Sequence, residues 1–167
     1  TVVFSRSGGT STGSIGPTTD NADGTYTAVF TGLVAGTATT INATVGGSTV
    51  TSTMPTVAVI PGTISVAQSQ VTVAAATVAS GSPVTVTLTA KDAAGNSITS
   101  GGSTVVFSNS GGTSTGTFGL VNDNADGTYT ASFTGVLAGT ATTVTATIGG
   151  VNVTSVLPTV AVLPGPA

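Results

Sequence analysis

The segment PVTVTLTA, residues 83–90, decides how this chain folds. Val84, Val86, Leu88 and Ala90 lie at every second position, and one threonine separates each from the next. Successive side chains of a β-strand point to opposite faces of the sheet, so the four apolar side chains share one face and the threonines the other. The segment therefore predicts a β-strand with one buried face and one face in water.

The same alternation recurs along the chain, and it predicts an all-β protein. Threonine and valine dominate the alternating runs, and both are β-branched residues that pack well on a pleated sheet and form helices poorly. No useful run of period 3.6 occurs. In one complete repeat we predict seven strands, the number typical of an Ig-like β-sandwich. The predicted strands are 69–78, 83–91, 104–109, 115–119, 127–134, 139–148 and 151–163.

An internal repeat sets the domain organisation. Residues 1–62 align without gaps on residues 104–165, an offset of 103, and about 45 of those 62 positions are identical. A period near 100 residues exceeds that of a solenoid unit and matches an independently folding sandwich domain. We therefore expect tandem Ig-like β-sandwich domains, each with its own core.

The repeat predicts where the domains begin and end. Residues 1–62 are the C-terminal part of one Ig-like repeat, 63–68 a short linker, and 69–165 a complete repeat. Residues 63–103 have no counterpart in the first repeat, so we expect that domain to be incomplete at its N-terminal side. The missing strands would come from upstream sequence or from another chain.

Composition excludes several classes of function. Charged residues make up 4% of the chain, with five acidic residues, two basic residues and no histidine. Nucleic-acid binding and polybasic attachment to an anionic membrane both require clustered Lys or Arg, so neither is expected. No apolar run is long enough to insert into a membrane as a helix. The chain has no cysteine, so it forms neither disulfides nor thiolate metal sites.

Several motifs carry a family resemblance. VTVAAATVASGSPVTVTLTAKDAAGN, VVFS, DNADGTYTASFTG, AGTATTVTATIGG and a closing PG resemble bacterial Ig-like repeats of the invasin and intimin type across the whole chain. The pattern DNADGTYT…AGT…V…GG is also similar to filamin repeats. The resemblance implies a stalk or an adhesive array at a cell surface. The near absence of charge departs from the invasin pattern, so receptor binding is not carried over.

Few side chains could perform chemistry or hold a metal. Without His, Cys or Glu, acid–base catalysis would depend on the five aspartates and Lys91, so we expect no catalytic residue and no enzyme activity. Asp-Gly pairs favour tight turns, the simplest explanation of the acidic motifs. The alternative is a calcium site at Asp123 and Asp126, repeated at Asp20 and Asp23, with backbone carbonyls and Asn96 or Asp92 as further ligands. No other cofactor is expected.

The aromatic side chains are predicted to pack in the cores of the two repeats, because most follow the inward parity of their strands. They could otherwise stack on sugars. The prediction of core packing is weakest for Phe118, since its counterpart in the first repeat is Ile15, which is not aromatic.

Three functions are compatible with these features. The first is a non-catalytic structural or adhesive repeat of a bacterial surface array, filament or adhesin stalk, located outside the cell or on its surface. It would assemble by β-sandwich packing or strand complementation, and its partners would be neighbouring repeats of the same protein, a host or surface protein, or a glycan. The second is a spacer or carbohydrate-binding module of a secreted hydrolase. The third, a hydrolase using an aspartate pair, has no positive support.

Overall fold

The computed structural model describes residues 1–166 and divides the chain into two compact units, Thr1–Pro61 (unit 1) and Gly62–Ala167 (unit 2). Its regular structure is all β, which confirms the predicted fold class. Within residues 1–166, no helix has the length and apolar character required to cross a membrane.

Unit 2 is a sandwich of two five-stranded sheets. One sheet has the order β13-β15-β11-β9 with β14 on β15, and the other has the order β10-β18-β16-β12 with β17 on β16. The ten strands are β9 Gln70–Val73, β10 Thr77–Ala79, β11 Pro83–Thr89, β12 Val105–Ser110, β13 Thr115–Phe118, β14 Asn122–Asp123, β15 Thr128–Leu137, β16 Thr142–Ile148, β17 Val151–Asn152 and β18 Thr159–Leu163.

The core of unit 2 lies between these sheets. β11, which contains the alternating segment PVTVTLT, lies inside its sheet between β9 and β15, and its residues Val86 and Leu88 are fully buried. Phe107 on β12 stacks on Phe118 of the opposite sheet with ring centroids 6.1 Å apart, and Phe118 lies 5.1 Å from Phe133. Aromatic and β-branched side chains from both sheets thus form one continuous cluster.

Unit 1 contains eight short strands in three sheets. They are β1 Val2–Ser7, β2 Thr12–Ile15, β3 Thr19–Asp20, β4 Tyr26–Thr27, β5 Phe30–Val34, β6 Thr39–Val45, β7 Ser48–Thr49 and β8 Thr56–Val57. The largest sheet joins β1, β6 and β7, with β8 also on β6, while β2 pairs with β5 and β3 with β4. Each strand has its counterpart in unit 2 at the offset of 103 residues.

The predicted strand 69–78 is two strands that belong to different sheets. β9 pairs antiparallel with β11, whereas β10 pairs parallel with β18. The chain crosses between the sheets at residues 74–76, and this crossing lets Val71 and Val78 enter the core from opposite sides. Alternation indicates which side chains share one face of a strand, but it carries no information on which sheet the strand joins.

The predicted strand 151–163 is also divided. β17 ends at Asn152 and β18 begins at Thr159. Pro158 lies just before β18 and has no backbone N–H to donate to a neighbouring strand. Its carbonyl oxygen accepts a hydrogen bond from Val144 N at 2.9 Å. The structure also adds β14 and extends β15 to Leu137, beyond the predicted end at residue 134.

Residues 63–68, predicted as a linker, lie within unit 2. Ile64 and Val66 pack against its core, and Ser65 N donates to Lys91 O at 2.7 Å. Ser69 Oγ in turn donates to Ser65 O at 2.8 Å. These residues are ordered against the sandwich because two apolar side chains and several backbone groups find partners there.

Candidate functional site

The sequence DNADGT forms the same turn in both units. In unit 2, Asp126 Oδ1 accepts bonds from the backbone N (2.9 Å) and the Oγ1 (2.6 Å) of Thr128. Asp123 Oδ1 accepts from Ala125 N at 2.8 Å, and Asp123 Oδ2 accepts from Gly102 N at 2.6 Å. The two carboxylates therefore shape their own turn, as Asp does when it bonds backbone N–H groups two residues on.

The turn of unit 1 repeats this geometry. Asp23 Oδ1 accepts from the N (2.9 Å) and the Oγ1 (2.6 Å) of Thr25, and Asp20 Oδ1 accepts from Ala22 N at 2.9 Å. The threonine hydroxyl bond lowers the pKa of Asp23, and the equivalent bond from Thr128 lowers the pKa of Asp126. Both carboxyls are therefore held in the charged form that the turn requires.

Asp92 organises a separate turn. Its Oδ1 accepts from the N atoms of Ala94 and Asn96, and its Oδ2 accepts from Gly62 N and Asn96 Nδ2, all at 2.9 Å. The bond from Gly62 N is the largest cause of a pKa lowered to about 2. Asp92 thus ties the first residue of unit 2 to the loop after β11.

The calcium site at Asp123 and Asp126, with its equivalent at Asp20 and Asp23, stays a prediction. Among residues 1–166, no three or more acidic side chains come together as a metal-binding group, so Asp92 does not join Asp123 and Asp126. Calcium usually takes about six to eight oxygen ligands, and the turns engage the carboxylates in bonds of their own. Any site here would depend largely on backbone carbonyls and water.

Unit 1 has a sheet edge that its counterpart in unit 2 does not have. In unit 2, β15 pairs with β13 and β14 on one side and with β11 on the other. In unit 1, β4 and β5 pair only with β3 and β2 among the strands of residues 1–61. Within residues 1–61, no strand occupies the side of β4 and β5 that corresponds to the β11 side of β15.

A groove follows this edge. It has a volume of about 270 Å³ and is lined by Phe4, Ile15, Tyr26, Thr27, Ala28, Phe30 and Ile41. Apart from Phe118, which is partly buried, the apolar counterparts of these residues in unit 2 are buried in the same core cluster as Val84, Val86 and Leu88 of β11. Tyr26 is 39% exposed, whereas its counterpart Tyr129 is 1% exposed. The groove is thus an apolar face with the lining of a sandwich interior.

Sequence parity predicts the orientation of these aromatic side chains but not their burial. In unit 2, Phe107, Tyr129 and Phe133 are core residues, as expected. In unit 1, Phe4 and Phe30 point the same way yet are only half-buried. The alignment carries the signal for this difference, because no residue within 1–61 aligns with residues 63–103, which include β11.

The family model described as "Invasin, domain 3" matches residues 65–165, more than half of the chain. Among solved structures, the chain is 30% identical to FdeC, an Escherichia coli adhesin, with a TM-score of 0.57 over 98% of this chain and 52% of that one. InvD of Yersinia pseudotuberculosis is 27% identical, with a TM-score of 0.55 over 99% of this chain and 47% of that one.

The crystal structure of invasin, a bacterial integrin-binding protein, shares the fold. Its identity is 21% and its TM-score is 0.57 over 98% of this chain and 32% of that one. The chain thus spans about half or less of the length of these solved relatives. No curated protein matches the sequence. The resemblance to invasin-type Ig-like repeats is confirmed.

Proposed function

Because this chain belongs to the family described as invasin domain 3, we propose that it is a non-catalytic structural and adhesive module of a bacterial surface protein. The match of unit 2 to that family is the observation that carries the proposal. FdeC is an adhesin, and the chain covers about half of its length. The proposed location is outside the cell or on its surface.

The use of the acidic groups supports a structural role. All five aspartates accept hydrogen bonds from backbone N–H groups of turns. An acid–base catalyst needs a carboxyl whose pKa lies near the working pH, whereas the pKa values of Asp23, Asp92 and Asp126 are lowered. These carboxyls are suited to holding loops in place.

The repeated architecture supports a role in an array. Two copies of one sequence pattern form the same turns and the same strand pairs in units 1 and 2. A chain built from such units gains length by adding further units, and its uncharged, Thr-rich surfaces repel one another little. We propose neighbouring repeats as the first partners, and a host protein or glycan as a further partner.

A bead assay tests the adhesive role. Beads coated with the chain are mixed with each other and with cultured epithelial cells, and attachment is counted against beads coated with the Phe133→Asp variant. Phe133 is completely buried, so a charge there prevents unit 2 from folding. We expect the chain to attach to beads, cells or both at least fivefold more often than the variant. Equal attachment by the two proteins would overturn the proposal.

A further inference from the structure

The sheets of unit 2 have one long and regular edge strand, β12. The two sheets end at β9, at β10, at β12 and at the side formed by β13 and β14. β9 has four residues and β10 has three, and the register of β13 shifts between Thr115 and Gly116. β12 has six residues and keeps an unbroken register with β16 from Val105 to Ser110. Short length and bulges are common protections of a sheet edge, and β12 has neither.

The β12 edge also carries no charge. The sequence of β12, VVFSNS, contains no charged residue and no proline, and the same holds for its neighbour β16, TTVTATI. In the first repeat, Arg6 aligns with Asn109, and its Nε donates to Gly13 O at 3.2 Å. A charge on an edge strand opposes pairing because it would have to leave water. Unit 2 therefore lacks a protection that unit 1 has at the equivalent position.

Every second residue of β12 directs its backbone groups away from β16. Gly149 N donates to Thr104 O at 2.8 Å, so the hydrogen-bonded pairs of this antiparallel ladder include Thr104 and every second residue after it. The N–H and C=O groups of Val105, Phe107 and Asn109 therefore face the edge. Within residues 1–166, β12 pairs with no strand other than β16, so a further strand can reach these groups.

We propose that β12 pairs antiparallel with β12 of a second copy of this chain, across a two-fold axis at Phe107. This inference rests on the proposed function and names one contact by which its repeats would associate. An antiparallel copy presents the same alternation of donors and acceptors, so the edge is complementary to itself. In this register Phe107 opposes Phe107, and Val105 opposes Asn109 of the other copy. Each such pair exchanges two hydrogen bonds, so the three pairs supply about six.

The side chains of β12 are compatible with this pairing. Val106 is 55% exposed, and in the proposed register it lies opposite the exposed Ser108 of the second copy. Like charges directly opposite each other destabilise a strand pair, and β12 brings none to the contact. The second copy thus supplies an uncharged strand of matching length and hydrogen-bond pattern. An isologous contact of this kind closes as a dimer, because each copy uses the same edge.

Sedimentation equilibrium of the full chain tests the proposal. We expect the average mass to rise with concentration from 15.7 kDa towards twice that value. Asn109→Arg introduces the residue that the first repeat has at this position, and it should weaken the dimer at least tenfold. The matched control is Asn152→Arg, at an exposed residue of β17, and it should change the dimer less than threefold. A monomer at every concentration, or equal effects of the two variants, would overturn the proposal.

Amide hydrogen exchange locates the contact. As the chain dimerises, exchange should slow at least tenfold for the amides of Val105, Phe107 and Asn109, whereas Val106 and Ser108 already bond to β16 and should change little. A second variant, Asn109→Pro, removes one outward N–H without adding a charge and leaves the β16 ladder intact, so it should also weaken the dimer. A dimer that leaves the three outward amides unprotected would show that another surface forms it and would overturn the proposal.

The outcome is separable from that of the bead assay. If the unmodified chain sediments as a monomer while its beads still attach to cells, the strand pairing is overturned and the adhesive function stays in place. If the chain dimerises through β12 but its beads attach no more often than those carrying Phe133→Asp, the adhesive function alone is overturned.

Discussion

Units 1 and 2 have closely similar sequences over 62 aligned positions, yet one has a closed core and the other an open groove. Several local hydrogen bonds recur in both. Thr39 Oγ1 donates to Ser7 O at 3.1 Å, and Thr142 Oγ1 donates to Ser110 O at 3.1 Å. Burial differs instead. Turns and strand pairs therefore depend on nearby sequence, whereas a closed core also requires a covering strand.

The continuity of one strand shows the same effect. β15 runs unbroken over ten residues, while its counterpart in unit 1 is divided into β4 and β5. Seven residues of β15 pair with β11, including the positions equivalent to Ala28 and Val29, where the strand of unit 1 is interrupted. β15 has partner strands on both sides and keeps its β conformation throughout. Its counterpart in residues 1–61 has partners on one side only and leaves the β conformation at residues 28 and 29.

The largest expected difference between the units comes from equivalent phenylalanines. Phe133→Ala removes a fully buried ring and should destabilise unit 2 by about 3–5 kcal/mol. Phe30→Ala removes a half-buried ring, so unit 1 should lose less than half of that. Hydrogen exchange measured separately for β15 and for β4–β5 reports the two effects. Equal losses of stability in the two variants would contradict the difference in burial between Phe133 and Phe30.

A glycine pair tests whether the loops are equivalent. Gly9 and Gly112 have φ of 62° and 63°, and a Cβ at either position would collide with the carbonyl oxygen of Ala38 or Ala141. Gly112→Ala and Gly9→Ala should therefore each destabilise their unit by about 1–3 kcal/mol. The same exchange measurement should give similar values for the two. A difference above about 1 kcal/mol would show that the covering strand also supports this loop.

Acid should affect unit 2 more than unit 1. The pKa of Asp92 is about 2 in the fold against 3.8 as its ordinary value, so the unfolded chain binds more protons between these values. The stability that Asp92 contributes is complete above about pH 4 and is lost as the pH falls towards 2. No residue within 1–61 aligns with Asp92, whereas the lowered pKa values of Asp23 and Asp126 affect both units alike.

Thermal melting between pH 5 and pH 2 measures this effect. The Asp92→Asn variant should melt lower than the unmodified chain at pH 5, and the two should converge as the pH approaches 2. A constant difference over the whole range would mean that the charge of Asp92 is not what holds the turn.

Calcium provides a symmetric test. If Asp123 and Asp126 bind calcium, then Asp20 and Asp23 should bind it too, because the Oδ1 atoms of the equivalent aspartates accept the same bonds within the two DNADGT turns. Calcium would then raise the melting temperatures of both units by similar amounts, and a chelator would reverse the rise. Melting temperatures that do not differ between calcium and chelator would exclude the site.

The smallest expected effect concerns two alanines in the left-handed region. Ala22 and Ala125 have φ of 59° and 61°. Ala125→Gly relieves this strain, at the cost of greater freedom in the unfolded chain, and should stabilise unit 2 by at most about 1 kcal/mol. Ala22→Gly should act equally on unit 1. Denaturant unfolding of both variants measures the gain, and a loss of stability in either would contradict the explanation.

Much of the fold could be predicted from the sequence. Alternation at residues 83–90 correctly predicted β11, and the strand pairs of the two units correspond at the offset of 103 residues. The division of 69–78 into β9 and β10 could not be predicted, because both halves have the same apolar alternation and differ only in the sheet they join. The Asp turns were predicted from local Asp-Gly chemistry, which acts over two to four residues.

The sequence alone determined the strands, the turns and the duplication, since each depends on side chains that are close along the chain. Only the tertiary structure decided which of two identical residues is buried, as with Tyr26 and Tyr129. The physical reason is that burial requires a second surface, here β11, which is separated from β15 in the sequence by residues 90–127. A side chain can face inward by local parity, but it is desolvated only where another strand covers it.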